Sequence, residues 1–109
     1  MAKNPNRHYR AHVHGTLTVA DAAGGVGVID AASATPTASE VAMSSYAELG
    51  PLETAQIRYR LDGTAPTTTV GHLLEIGERL ILEDHDEVKR FLAIRTGGTS
   101  GTLPVTLFR

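Results

Sequence analysis

Cysteine and tryptophan are absent from the chain. Without cysteine no disulfide can staple the fold, and no thiolate can act as nucleophile or metal ligand. That fits a protein assembled inside a cell. Aromatic residues make up only 5% of a sequence that is 41% hydrophobic, so the core must be built mainly from Leu, Ile, Val and Ala. Long apolar runs are missing too. None approaches the ~20 residues that a membrane-spanning helix requires, and none follows the early positive charges as in a secretion signal. The chain therefore reads as soluble. Charge of one sign is equally scarce. The formal net charge is −2, too small to imply a nucleic-acid or membrane partner.

What is present fits one domain: 109 residues leave no room for two. The few charges are unevenly placed. Lys3, Arg7 and Arg10 precede the first acidic residue, Asp21, and His8, His12 and His14 lie among them. Residues 1–10 thus form a mildly basic, extended N-terminal arm, expected to be disordered alone and to order on a partner. Residues 11–109 form the body.

The body alternates with period 2. Ile57, Tyr59 and Leu61 face one way and Gln56, Arg58, Arg60 and Asp62 the other, as in a half-buried antiparallel strand. Leu103, Val105 and Leu107 alternate with Thr102, Pro104 and Thr106, and Pro104 points to an edge strand or an edge-facing position. Near the start, Tyr9, Ala11, Val13, Leu17 and Val19 alternate with Arg10, His12, His14, Thr16 and Thr18. Further strands are expected over 26–31, 40–46, 72–76, 79–83 and 90–95. Turn chemistry separates them at Gly24-Gly25, Thr35-Pro36, Gly50-Pro51, Asp62-Gly63, Gly77 and Gly97-Gly98. The stretch 31–39 is the best candidate for a mobile loop, and Asp84–Arg90 for a helical turn capped by Asp84 or Asp86. Short strands punctuated in this way predict an all-β domain, a small antiparallel β-sandwich or jelly-roll-like barrel.

Chemistry-bearing constellations are weak. His12 and His14 share a strand face and would need a third metal ligand such as His72 or His85, so a polar strand face is the better reading. Glu83, Asp84, Asp86 and Glu87 surround His85 without the glycine that a calcium loop uses, which fits a solvated helix start. Gly24-Gly25-Val26-Gly27 lacks the third glycine and the helix of a dinucleotide site. Ser100 lacks the spacing of a nucleophile elbow. Tyr9, Tyr46, Tyr59, Phe91 and Phe108 are scattered and not interleaved with dense Lys or Arg, unlike a nucleic-acid stacking platform. The expectation is a structural or binding module, with no enzyme activity, cofactor or metal.

The most distinctive stretch is Ile57-Arg58-Tyr59-Arg60-Leu61-Asp62-Gly63-Thr64-Ala65-Pro66-Thr67, followed by Val70-Gly71-His72 and Leu80-Ile81-Leu82. With Phe91 to Gly98 and Leu103 to Arg109, it resembles small structural proteins of tailed bacteriophages, over roughly the last half of the chain. As turn chemistry, Asp62-Gly63 needs positive φ at the glycine and fixes register with the next strand, and Thr64 can close the turn with its side chain. The resemblance implies a head decoration, or cement, protein on the capsid surface of the virion, assembled in the host cytoplasm. Its partners would be the major capsid protein and further copies of itself, with a trimer the expected oligomer and edge strands covered by neighbours. Arg7, His8, Tyr9 and Arg10 in the arm, and Arg58 and Arg60 on the outward strand face, are the candidate partner-binding residues. A head fibre base or head–tail connector is the alternative within the particle. The same Asp-Gly-Thr string also looks like a segment of immunoglobulin-like modules attached to carbohydrate-active enzymes. That gives a second class, a sugar-binding or spacer sandwich, although such modules usually rely on exposed Trp or Tyr.

Overall fold

The computed structural model describes residues 11–21, 24–28 and 38–109. Among these residues eight strands and two short helices follow one another as β1 (Ala11–Val19), β2 (Val26–Gly27), α1 (Ala38–Ala42), β3 (Tyr46–Leu49), β4 (Ile57–Arg60), β5 (His72–Leu74), β6 (Leu80–Leu82), α2 (His85–Arg90), β7 (Leu92–Arg95) and β8 (Gly101–Phe108). They form two four-stranded antiparallel sheets packed together, in the orders β1-β8-β3-β6 and β2-β7-β4-β5. The fold is an all-β sandwich, as the alternation predicts. The proposed arm, residues 1–10, lies outside the described residues, as do positions 31–37 of the expected loop.

Period 2 explains the core directly. In β8 the inward Leu103, Val105 and Leu107 are fully buried, while Thr102, Pro104, Thr106 and Phe108 on the other face are half-exposed. Leu17 and Val19 of β1, Ala47 and Leu49 of β3 and Leu82 of β6 complete that inner layer. The facing sheet contributes Val26, Ile57, Leu74 and Ala93, with Phe91 and Val88 closing the end beside α2. Phe91 is the largest fully buried side chain, and every other buried hydrophobic residue described is Leu, Ile, Val or Ala, as the scarcity of aromatics requires. Tyr59 and Leu61 pack on it while half-buried, which places the alternation of Ile57, Tyr59 and Leu61 on the inward side.

The two sheets approach closely at Gly101. A Cβ there would lie 2.6 Å from Cγ2 of Ile57 and 2.9 Å from the Ala55 carbonyl oxygen. Only a residue without a side chain fits this contact.

Several elements depart from expectation. The stretch 40–46 is not a strand. Ala38–Ala42 is helical, with Val41 buried, and Ser44 ends the turn by donating from its N–H to the Val41 carbonyl and from Oγ to the Glu40 carbonyl. Ala and Glu favour a helix, and one turn with one buried residue leaves too little sequence to distinguish from alternation. β2 is only Val26–Gly27, and residues 29–31 of the expected strand lie outside the described residues. Pro104 does not sit on an edge strand, since β8 pairs with both β1 and β3. Pro104 lies opposite Thr16 of β1 on one side, and on the other its carbonyl accepts from the Gly50 N–H at 2.8 Å, immediately past the end of β3 at Leu49. The expectation of an edge strand or an edge-facing position is therefore not met: the proline is interior, and its missing N–H falls where β3 has ended. The helical turn is as expected: α2 is capped by Asp84, whose Oδ1 accepts from the Glu87 N–H at 2.8 Å.

Candidate functional site

The described structure offers two surfaces, an open sheet edge and a braced loop. The edge is β1, an outer strand of its sheet and nine residues long. The other three outer strands, β2, β5 and β6, have two or three residues each. Short edges expose few unpaired backbone groups, and natural sheets also blunt edges with charge or proline. The β1 sequence Ala-His-Val-His-Gly-Thr-Leu-Thr-Val contains no Lys, Arg, Asp, Glu or Pro. Only a register shift between Ala11 and Val13 interrupts it, at its first turn of pairing with β8.

The free backbone groups of this edge follow from the pairing. The carbonyls of Thr102, Pro104 and Phe108 accept from Glu53, Gly50 and Ser45, so the even-numbered residues of β8 turn away from β1. Their partners in register, Thr18 and Thr16, together with His14 opposite Thr106, therefore direct N–H and C=O outward. Among the described residues nothing pairs with them. The outer face beside this edge carries His14, whose Nδ1 lies 3.1 Å from the Thr106 hydroxyl. A cross-strand row continues through Glu48 to the exposed Ile81. Tyr46 and Phe108 meet edge to face at 5.2 Å and 79°, which is not the flat stack that a sugar ring would lie on.

The loop from Leu61 to Gly71 joins β4 to β5, paired with Ile57 opposite Leu74 and Tyr59 opposite His72. It is longer than the tight turn read from Asp62-Gly63. Gly63 has φ of 81°, as that reading requires. The closing bond, however, runs from the Thr64 N–H to Asp62 Oδ1 at 3.1 Å, so the aspartate and not the threonine side chain makes the turn. Thr67 Oγ1 accepts from the N–H of Val70 at 2.9 Å. Arg58 braces the far side. Its Nε donates to the Thr68 carbonyl at 3.0 Å and its Nη1 to the Gly71 carbonyl at 2.8 Å.

Arg60 forms an ion pair with Asp62. Hydrogen bonding to Asp62 raises the Arg60 pKa, and the bond from Arg60, with the Thr64 N–H second, holds the Asp62 carboxyl below its ordinary value. Tyr59 is raised by burial and then by the charge of Glu78. Its ring stacks on Phe91 at 6.0 Å and tilts against His72 at 5.4 Å. An open cleft of about 600 Å³ lies above, lined by Arg60, Leu61, Asp62, Val70, Gly71 and His72. Arg60 and Asp62 pair with each other at its rim, beside the imidazole of His72 and the apolar side chains of Leu61 and Val70.

The sequence-proposed site residues separate accordingly. Arg7, His8, Tyr9 and Arg10 lie outside the described residues. Arg58 spends its donors inside the chain, and Arg60 stands at the cleft rim. The described histidine side chains do not converge: His14 is on β1, His72 on β5 of the other sheet, and His85 on α2, where its Nδ1 lies 2.8 Å from the Ser44 carbonyl. Among the described residues no three His, Asp or Glu side chains form a metal-binding group. Comparison with family models, with curated proteins and with solved structures finds no match. What sequence reasoning missed is the open edge itself. Its absence of charge was legible, but its position at the edge was not.

Proposed function

We propose that this chain is a non-catalytic structural protein of a tailed-bacteriophage particle, a decoration protein that binds the major capsid shell. One observation carries this reading: the long edge of β1, uncharged and, among the described residues, unpaired, continued by ten residues that contain Lys3, Arg7 and Arg10 and no acid. A monomer that stays apart from its neighbours blunts such an edge, whereas an assembly protein leaves it open for an added strand. The resemblance of the last half of the chain to virion proteins supplies the setting. In this reading the body is a rigid spacer, the edge makes backbone pairs, and the basic arm reaches acidic surface on the shell.

The sugar-binding alternative draws less support, because Tyr46 and Phe108 are nearly perpendicular. The test is quantitative protein analysis of purified particles, followed by adding the recombinant chain to particles stripped of it. Copy number comparable with the major capsid protein, and saturable rebinding that raises the particles' thermal stability, is the expected result. Copies sufficient for only a single ring would indicate a connector. Absence from the particle would refute the proposal.

A further inference from the structure

We propose that the occupant of the β1 edge is a second copy of this chain, paired antiparallel to the first about a two-fold axis at Thr16. This deepens the particle-protein reading and rests on it only for the biological setting.

Backbone and side chains select this pairing together. The outward N–H and C=O groups of β1 belong to His14, Thr16 and Thr18. Added strands must match even-numbered residues with even-numbered ones to use those groups. The same parity sets Leu17 and Val19 on the inner side of both copies, so the combined sheet keeps one apolar face. A slip by one residue would lose both at once. Setting His14 opposite Thr18, with Thr16 opposite Thr16 at the axis, uses all three outward residues of each copy and stays within Val13–Val19, clear of the register shift between Ala11 and Val13. No charged side chain of either strand is then confronted with another.

Charge chooses direction. Arg10 stands immediately before β1, with Arg7 and Lys3 behind it, and Asp21 stands just after it. Exposed Glu53 lies at the Asp21 end too, bridged to Thr102, which pairs with Thr18. Antiparallel pairing brings the basic end of one copy to the acidic end of the other, at both ends of the contact. Parallel pairing would set Arg10 beside Arg10. The partner that suits this strand best is the strand itself, and the contact is isologous. It closes as a dimer, in place of the trimer that the resemblance implies.

The absence of cysteine makes the test direct. His14→Cys and Thr18→Cys chains, mixed and treated with a short thiol-specific crosslinker, should give a covalent dimer, and each alone much less. The parent should sediment as a dimer. Thr16→Pro removes an outward N–H while leaving the bonds to β8 intact, and should weaken association about tenfold or more with a cooperative melt retained. Asp21→Arg should weaken it as well, and Arg10→Asp added to Asp21→Arg should restore it.

A parent that sediments as monomer or trimer, or crosslinking of each single variant as efficient as that of the mixture, overturns the pairing. Should Thr16→Pro fail to melt cooperatively, the crosslinks and the charge reversal decide alone. A monomeric parent that still binds particles sinks this inference and spares the particle role. A dimer absent from particles does the reverse.

Discussion

Nη1 of Arg58 donates to the carbonyl oxygen of Gly71 at 2.8 Å, while its Nε holds the Thr68 carbonyl at 3.0 Å. A residue on the outward face of β4 therefore fixes the return of the loop to β5. Arg58→Ala should cost about 1–3 kcal/mol, since hydrogen bonds to charged groups contribute on that scale. Arg58→Lys should recover only part, because an ammonium cannot span two carbonyls as a planar fork does. Denaturant titration checks the stability, and limited proteolysis should show cleavage concentrated between Leu61 and Gly71. Unchanged protection of that loop would contradict the brace.

Ile57 is fully buried and Leu61 only half-buried. Ile57→Ala should cost about 2–5 kcal/mol, and Leu61→Ala clearly less. Equilibrium unfolding of both variants beside the parent gives the order. A larger loss at Leu61 would mean that the end of β4 is packed more deeply than described.

Gly101→Ala should destabilise by about 1–3 kcal/mol through overpacking, because its methyl would press on Cγ2 of Ile57 and on the Ala55 carbonyl. Ile57→Ala removes one of those obstacles. The double variant should therefore lose less than the sum of the two single losses, as contacting sites do. Strict additivity in a double-mutant cycle would show that the sheets do not meet there.

The Asp62 carboxyl is held below its ordinary pKa chiefly by the bond from Arg60, then by the Thr64 N–H. A depressed folded-state pKa makes the carboxylate stabilising above the unfolded value. That contribution is lost as pH falls through the lowered one. Because the pair is solvent-exposed, the effect on stability is small. NMR titration of the carboxyl carbon should place Asp62 below the ordinary value of an aspartate, and Arg60→Gln should move it upward. No movement in the variant would assign the shift elsewhere.

Removing the cap of α2 by Asp84→Ala should cost about 1 kcal/mol, the usual value of an N-cap side chain. Glu87 reaches back to the Glu83 N–H at 2.8 Å, so Glu87→Ala should add to the loss. Thermal unfolding of the single and double variants measures both.

Alternation was sufficient to read the sheets where one face is buried and the other open. β8 shows this best, with Leu103, Val105 and Leu107 alternating with polar or half-exposed neighbours over its whole length. The Asp84 cap was legible because a capping side chain acts within four residues of itself. Long-range arrangement was not. Nothing local to Pro104 says that β3 ends beside it, and nothing local to Arg58 says that loop carbonyls will return to meet it. α1 was missed because a single turn of helix with one buried residue leaves no period to count. For the site, the uncharged run of β1 was visible, while its meaning depends on β8 lying on one side of it and no described strand on the other.

The position of β8 bears on how the protein comes to exist. Of the described strands this one is synthesised last, yet it lies between β1, the first of them, and β3. Until Phe108 has left the ribosome, β1 has no neighbour in its sheet, and β3 and β6 can form only a short isolated pair. That layer cannot assemble strand by strand as the chain emerges. It must close once β8 is out, through contacts between the first and the last of the described strands. Such a topology favours slow folding over fast, and for that interval Ala11–Val19 is exposed along both its edges.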